Sequence, residues 1–427
     1  MIIRMRVQKI GKLIYSSSLI ILAISHLNLS LNAQRNSCIE CHKELEDKLL
    51  APVETFKMDI HQQFGISCSD CHGGNPSEED IDLAKDKTFK GTPKRSRIPE
   101  FCASCHSDSS YMRRFNPNLR VDQLDIYWTS KHGQLLKKGD TRVALCTDCH
   151  AAHGIQAATH PKSWTFPWNI PETCSRCHSD KDYMEDYKIS TTQWDEYKES
   201  VHARALFEKK DLSAPVCNDC HGNHGASPPE VTSIAFVCRQ CHPSAGELFS
   251  QSPHKKAFDE MELSECGACH GNHKILPPSD EMLGTGEKAV CIKCHESDSK
   301  PYQVASQIKD KLDAFIEKIN HANYLLEQAD RQGVEISGPK FKLVEANTAL
   351  ILARNLTHSF SLTEIEEKIE EGEKVVVEVI RAGEAALREA EFRKTGLIIA
   401  TCFIFLLSIA IFLKIKQITK KAPNESR

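Results

Sequence analysis

Apolar residues along this chain fall into three regimes, and each predicts a different kind of element. Before the first cysteine, a basic start from Met1 to Lys12 leads into an apolar stretch, Leu13 to Ile24, that polar His26, Asn28 and Ser30 interrupt. That run is too short to cross a bilayer, so residues 1–33 read as a secretory signal with cleavage after Ala33. An uncleaved N-terminal anchor is the alternative. From 34 to 300 no long periodic run occurs. Short apolar clusters are separated by turn-forming stretches such as Gly73 to Ser77 and Ser227 to Pro229, which predicts short helices joined by loops. The charged segment Ser77 to Arg97 reads as a solvated loop.

After Pro301 the pattern changes. Val304, Ile308, Phe315, Ile319, Ala322 and Leu326 recur at helical spacing. Gly333 to Pro339 reads as a turn, a second helix is expected from about Phe341 to His358, and Ser361 with Glu364 forms a capping-box start for a third. Residues 301–395 are therefore expected to form a small antiparallel helical bundle. The third regime is Leu397 to Leu413, seventeen residues without a charge, which Gly396 extends by one to the lower limit for a spanning helix. A buried soluble helix is the bland reading. The tail 414–427 carries Lys414, Lys416, Lys420 and Lys421, which fits the positive-inside rule and puts the tail in the cytoplasm. Cys402, within the span, reads as an inert apolar residue.

Composition adds the chemistry. Eighteen of the nineteen cysteines form CxxC pairs: Cys38/Cys41, Cys68/Cys71, Cys102/Cys105, Cys146/Cys149, Cys174/Cys177, Cys217/Cys220, Cys238/Cys241, Cys266/Cys269 and Cys291/Cys294. Zinc ribbons and thioredoxin-like redox pairs also use CxxC, but neither requires a histidine after the second cysteine. Here all nine have one: His42, His72, His106, His150, His178, His221, His242, His270 and His295. CxxCH is the attachment motif of c-type haem, its thiols adding to the porphyrin vinyl groups and its imidazole becoming the proximal iron ligand. Nine covalently bound haem c groups are expected. With about thirty residues per motif and an aromatic content of 7%, porphyrins must supply most of the buried apolar surface in 34–300. A net charge of −4, with no basic run interleaved with aromatics, excludes nucleic acid as a partner.

The motifs alternate. Even-numbered motifs have a histidine upstream, His61, His132, His202 or His254, and each of these has an aromatic five residues before it: Phe56, Tyr127, Tyr197 and Phe249. Three have a serine two residues before, Ser130, Ser200 and Ser252, and three continue to another histidine, His153, His224 and His273. Odd-numbered motifs have no histidine nearby. The third and fifth follow Ile98-Pro99-Glu100 and Ile170-Pro171-Glu172, and are trailed by the Tyr-Met pairs at Met112 and Met184. A repeated Met beside an aromatic reads as haem packing, with axial ligation the minority alternative. The upstream histidines are expected to serve their own even haems, so that His132 shares an iron with His150, and the post-motif histidines to serve neighbouring odd haems.

Eight further histidines, these seven and His160, are the distal candidates within the haem region, one fewer than the nine irons. His358, at the turn between two bundle helices, is the expected ninth, with His321 the alternative. The balance matters because bis-imidazole iron only passes electrons, whereas an open iron binds and transforms a small substrate.

The CxxCH array, its alternation and its CxxCHxxH variants resemble the periplasmic multihaem cytochromes c with doubled CxxCH motifs. That superfamily includes cytochrome c554, the decahaem electron conduits, hydroxylamine oxidoreductase and ammonia-forming nitrite reductase. The CxxCK site of the typical nitrite reductase is absent, and no motif transfers a catalytic role, so catalytic residues stay unassigned. The resemblance implies haem c and bis-histidine electron transfer. The expected fold is mainly α with extensive loops: a haem domain at 34–300 whose core is stacked haems, then an α-helical hairpin or bundle, then one C-terminal transmembrane helix at 396–413. The expected function is a wire anchored in the cytoplasmic membrane with its haems on the periplasmic side. It would take electrons from a quinol dehydrogenase or cytochrome complex and pass them to a periplasmic acceptor, with oligomers forming through the bundle. An oxidoreductase of nitrite, hydroxylamine or tetrathionate is the second class, and haem storage the third.

Overall fold

The computed structural model describes residues 36–229 and 234–421, so the signal segment 1–33 and the end of the tail lie outside the described residues. Helices and turns account for the architecture, with no strand among the described residues. Two compact units form: Met1–Lys198 with His202–Pro228, and Glu199–Val201 with Pro229–Arg427.

In the first unit, even- and odd-numbered motifs sit on different helices. The even motifs occupy five-residue helices that begin on the first cysteine: Cys68–His72, Cys146–His150 and Cys217–His221. Their sequences, CSDCH, CTDCH and CNDCH, share an aspartate at the third helical position. Asp70, Asp148 and Asp219 each accept the backbone N–H of the residue before the helix, at 2.7, 2.8 and 2.8 Å. This satisfies an N–H that a helix start otherwise leaves unpaired. The third and fifth motifs instead end nine-residue helices, Ile98–His106 and Ile170–His178, whose buried Pro99 and Pro171 take the first turn, where a missing N–H costs nothing. Side-chain cores here are small. Tyr127, Leu136, Val143 and Leu145 make one, and Leu206, Ala214 and Val216 another.

The segment Ser77–Arg97 is more than a solvated loop. It contains a short helix, Ile81–Ala84, and it returns to the second motif, where Lys90 N–H bonds the His72 carbonyl at 2.7 Å. Arg95 reaches the fourth motif, pairing with Asp148 at 2.8 Å and donating to the Thr141 carbonyl at 2.9 Å.

The second unit contains three long helices: α1 (Lys300–Arg331), α2 (Ser337–Leu356) and α3 (Leu362–Lys421). Gly372 of α3 lies against Phe315 and Ala349, and Gly383 against Leu325, so α1 and α3 pack directly and run parallel, with α2 antiparallel against both. Their apolar stripes make one continuous core that includes Leu312, Phe315, Leu326, Ile365 and Val379, all fully buried. Burial of each such side chain stabilises the bundle by about 1.5–3 kcal/mol. Helix α2 begins at Ser337, four residues before the expected Phe341. The Oγ of Ser361 accepts Glu364 N–H at 3.4 Å at the start of α3.

Helix α3 is 60 residues long and runs without a break from the bundle through Gly396 and the apolar run. Its core-facing residues end at Ala390. Beyond them lies a stretch of mean hydropathy 2.8 with none of it buried, long and apolar enough for a single membrane crossing.

Candidate haem sites and their exchanged ligands

The geometry of the motif histidines decides what this scaffold can hold. In the first unit, four proximal imidazoles face a second imidazole. His72 faces His153 at a ring-centroid distance of 6.1 Å, His106 faces His61 at 5.9 Å, His150 faces His224 at 6.1 Å, and His178 faces His132 at 6.2 Å. In the second unit His270 faces His358 at 6.2 Å and His295 faces His254 at 5.9 Å. Two imidazoles holding one metal at about 2 Å from each nitrogen have ring centroids roughly 6 Å apart, so these pairs fit an iron between them.

This pairing corrects the expectation drawn from sequence. The upstream histidines do not face the motif that follows them: His61, His132 and His254 each skip it and face the next odd-numbered motif. The post-motif histidines His153 and His224 reach back to the preceding even-numbered motif rather than to an odd one. The physical reason lies in the backbone. Ile60 N–H bonds the Ile155 carbonyl at 2.7 Å, Lys131 the Ala226 carbonyl at 3.0 Å, and Val201 the Ile275 carbonyl at 2.7 Å. Each donor precedes an upstream histidine, and each acceptor lies two residues beyond a post-motif one. In the first two cases one stitch therefore carries two histidines, His61 with His153 and His132 with His224, away from their own motifs.

At the last upstream histidine the donor position is Pro253, which has no N–H, and a different contact takes over. The ring of Phe360 lies 3.9 Å from that of His254, while His358, two residues earlier, faces His270 and bonds the Asn355 carbonyl through Nδ1 at 2.9 Å. The turn between α2 and α3 thus stands where another post-motif segment would.

Ring-plane angles separate the pairs. The second, fourth and eighth motifs have near-parallel partners, at 26° for His72/His153, 18° for His150/His224 and 26° for His270/His358. The third, fifth and ninth have steep ones, at 80° for His61/His106, 51° for His132/His178 and 74° for His254/His295.

Burial pushes the pKa of His106, His132, His153, His178, His224, His254 and His270 down, and neighbouring groups, mainly the facing imidazoles, add to the effect. His150 falls furthest, to about 4, through burial and then the proximity of His224. All are held neutral near pH 7, the form that ligates iron.

Second partners orient the rings. His72 Nδ1 bonds the Gly91 carbonyl at 3.0 Å, and His221 Nδ1 the Ser227 carbonyl at 3.2 Å. The hydroxyls of Tyr127 and Tyr197 donate to the Ala144 and Pro215 carbonyls at 3.0 and 2.9 Å, tying each upstream helix to the stretch of chain that enters the next motif. Ser130 accepts Gly133 N–H at 2.9 Å and caps the helix Lys131–Lys137 that carries His132. His202 sits on the helix Val201–Phe207, and His273 follows the eighth motif. Met112 and Met184 are buried packing residues, while Met58 is exposed. No sequence signal pointed to Gly91, Arg95 or Phe360. The periodic aromatics did anticipate Tyr127 and Tyr197.

Two histidines stand apart. His160 is exposed, its Nδ1 accepting Lys162 N–H at 3.2 Å, and faces no motif histidine among the described residues. His42, on the helix Ser37–His42 capped by Asn36, has no facing imidazole among the described residues.

The two thiols of a motif look alike in sequence but not in setting. The first cysteine of every motif is half-buried, from Cys38 to Cys291. The second is exposed in five motifs, at Cys41, Cys71, Cys220, Cys241 and Cys294, and half-buried at Cys105, Cys149, Cys177 and Cys269. Cys41, Cys71, Cys220, Cys241 and Cys294 stand at the protein surface. The physical reason is that a thioether site requires its sulfur to be reachable by a vinyl group, and the porphyrin joined there supplies the apolar cover that side chains do not. None of the motif cysteines forms a disulfide among the described residues, so both sulfurs of each pair suit attachment.

The cysteines also give the order of the sites. In the first unit, Cys38 lies beside Cys68, Cys71 beside Cys105, and Cys149 beside Cys174, while the thiols of Cys102 and Cys146, and of Cys174 and Cys217, are in hydrogen-bond contact. In the second unit Cys238 contacts Cys266, and Cys269 neighbours Cys291. Within each unit, consecutive motifs in sequence are neighbours in space. When bound, haem c supplies a reversible one-electron couple at each site. The chain's own residues would hold it, the paired cysteines by attachment and the facing imidazoles as ligands, in an order set by the neighbouring motifs.

Such a series of attachment motifs with facing imidazoles defines a multihaem c-type cytochrome. Comparison with known proteins agrees. A cytochrome c3 family model matches residues 60–179 and a doubled CXXCH motif model matches residues 257–300. Multiheme cytochrome MtrA of Shewanella baltica (strain OS185) is 26% identical over 236 residues, covering 49% of this chain and 67% of that protein. These matches support placing the motif-bearing stretches 60–179 and 257–300 with the multihaem c-type cytochromes. No solved structure matches it.

Proposed function

We propose that this chain is a membrane-anchored nonahaem wire. It takes electrons from a membrane donor, a quinol dehydrogenase or cytochrome complex, and delivers them to a periplasmic acceptor. The observation that carries this reading is the threading of facing imidazole pairs through consecutive motifs, which leaves those irons no open position and places each beside the next. His358 serves as the distal ligand of the eighth haem, with His270 proximal. Export of the haem region, single-pass anchoring by 396–413 and a cytoplasmic basic tail complete the reading.

Low-temperature EPR of the oxidised protein tests it. The wire gives low-spin ferric signals in two groups, the near-parallel and the steep ligand pairs. A high-spin signal near one per molecule that responds to nitrite or cyanide sinks the pure-wire reading.

One observation favours a second reading. His42 has no facing imidazole among the described residues, and His160, which would balance the ligand count, is exposed with its Nδ1 engaged. An iron at Cys38/Cys41/His42 then has a coordination position for a small oxyanion or hydroxylamine, making the chain an oxidoreductase at its first haem. His42→Met separates the two: it alters the substrate-responsive signal only if that signal belongs to the first haem.

A further inference from the structure

The residue two positions before each upstream histidine is Asp59, Ser130, Ser200 or Ser252, and all four are buried, at 2%, 0%, 0% and 6% exposure. Three are neutral serines. Ser130 and Ser252 donate to the carbonyls of Tyr127 and Phe249, at 2.6 and 2.7 Å. Asp59 differs in charge and in what it touches. Its Oδ1 lies 2.9 Å from His61 Nδ1 and also accepts His61 N–H at 2.9 Å, and its Oδ2 accepts Ile155 N–H at 2.9 Å. No Lys or Arg pairs with it among the described residues; its side-chain partner is the imidazole itself. The equivalent nitrogen at the last site, His254 Nδ1, is buried with no hydrogen-bond partner among the described residues.

From this contrast we infer that Asp59 is a positioning and tuning residue that makes the third haem the most reducing of the series. A carboxylate accepting the Nδ1 proton of an axial imidazole raises that ligand's basicity. A more basic ligand and a buried negative charge beside it both stabilise ferric iron over ferrous, so both lower the potential. Low local dielectric strengthens the effect. The carboxylate is held by three N–H groups, one of them from Ile155 in the same stitch that brings His61 to His106, so its orientation toward the ring is fixed by the ligand exchange itself. The consequence for a wire is an energetic step between the second and fourth sites, where an electron entering the third haem must climb before it descends. The inference rests on His61 ligating the iron of the third motif.

The test is a potentiometric titration of the holoprotein followed by EPR, comparing wild type with Asp59→Asn and Asp59→Ser. The serine variant installs the residue its three counterparts carry and keeps a helix cap. In both, the most negative midpoint should move up into the range of the other haems while the haem stays low-spin. Ser130→Asp should do the reverse, drawing down the midpoint of the fifth haem, which His132 serves. His61→Ala tests the underlying ligation separately: with no low-spin haem lost, the pairing of His61 with His106 on one iron is wrong. If ligation holds and the lowest midpoint is unmoved in the low-spin Asp59 variants, the tuning alone is overturned.

Discussion

The motif-bearing region and the three-helix bundle are both helical, yet they are held together in opposite ways. In the bundle, side chains close the interior: Leu312, Phe315, Leu326 and Ile365 stack along one seam. In the motif-bearing part of the first unit the side-chain clusters are small, and imidazoles face each other at the span of a bridging metal. The lesson is that short helices are sufficient structure where a porphyrin supplies the apolar surface, and long amphipathic ones are needed where it does not.

The most drastic way to break this comparison is to withhold the cofactor. The full chain produced without haem attachment should lose ordered structure over 36–229 and keep helical α1 to α3, read by circular dichroism and limited proteolysis. A protease-resistant haem-free region would refute the contrast. Next in size, Phe315→Ala should cost the bundle about 3–5 kcal/mol in a denaturant titration, because it empties a fully enclosed site. Gly372→Leu should destabilise it through overpacking instead, since an added Cβ already lies 2.4 Å from the Phe315 ring.

Acid should act on the other side of the comparison. Burial and the nearby His224 push the pKa of the free His150 imidazole in the folded chain down to about 4 from an ordinary 6.5, so the unfolded chain binds the extra proton in that window. Its stabilising contribution is present above 6.5 and is lost as the pH falls towards 4. Protons compete with iron for imidazole nitrogens, so falling pH should generate high-spin haem while bundle helicity persists; simultaneous loss of both would show that the two regions are not independent. His358→Ala should turn one low-spin haem high-spin with the helical signal intact, and an unchanged spectrum would place the partner of His270 elsewhere. Ser130→Ala should cost only about 1 kcal/mol, the worth of an N-cap, measured as a small shift in the denaturation midpoint.

Legibility followed the same divide. The bundle could be read from spacing because its helices pack on each other with the period that Val304 to Leu326 display. Attachment chemistry was equally plain, since CxxCH is local, although the motif does not distinguish a surface thiol such as Cys241 from a half-buried one such as Cys269. Ligand partnership was not legible, because it is a property of the stitch between Ile60 and Ile155, residues far apart in sequence that carry no pairing signal. Only Pro253, which removes the stitch at the final site, was visible as an irregularity, and it acquires meaning once the other three stitches are known. The role of Ser77–Arg97 was hidden for a similar reason: a polar composition does not distinguish a loop in solvent from one whose Gly91 carbonyl holds His72.

Helix α3 has a mechanical consequence. From Leu362, beside the His358 turn, to Gly396 it is unbroken, a rod of about 50 Å at 1.5 Å per residue. For a helix that enters a bilayer at Gly396, a haem held by His270 and His358 would stand at the far end of that rod, and tunnelling, which decays exponentially with distance, would not bridge the gap. The rod is also a boom: a tilt of about 20° in the span would swing its outer end by roughly 17 Å. For such a spanning helix, bilayer thickness and neighbouring helices would set the lateral reach of that end.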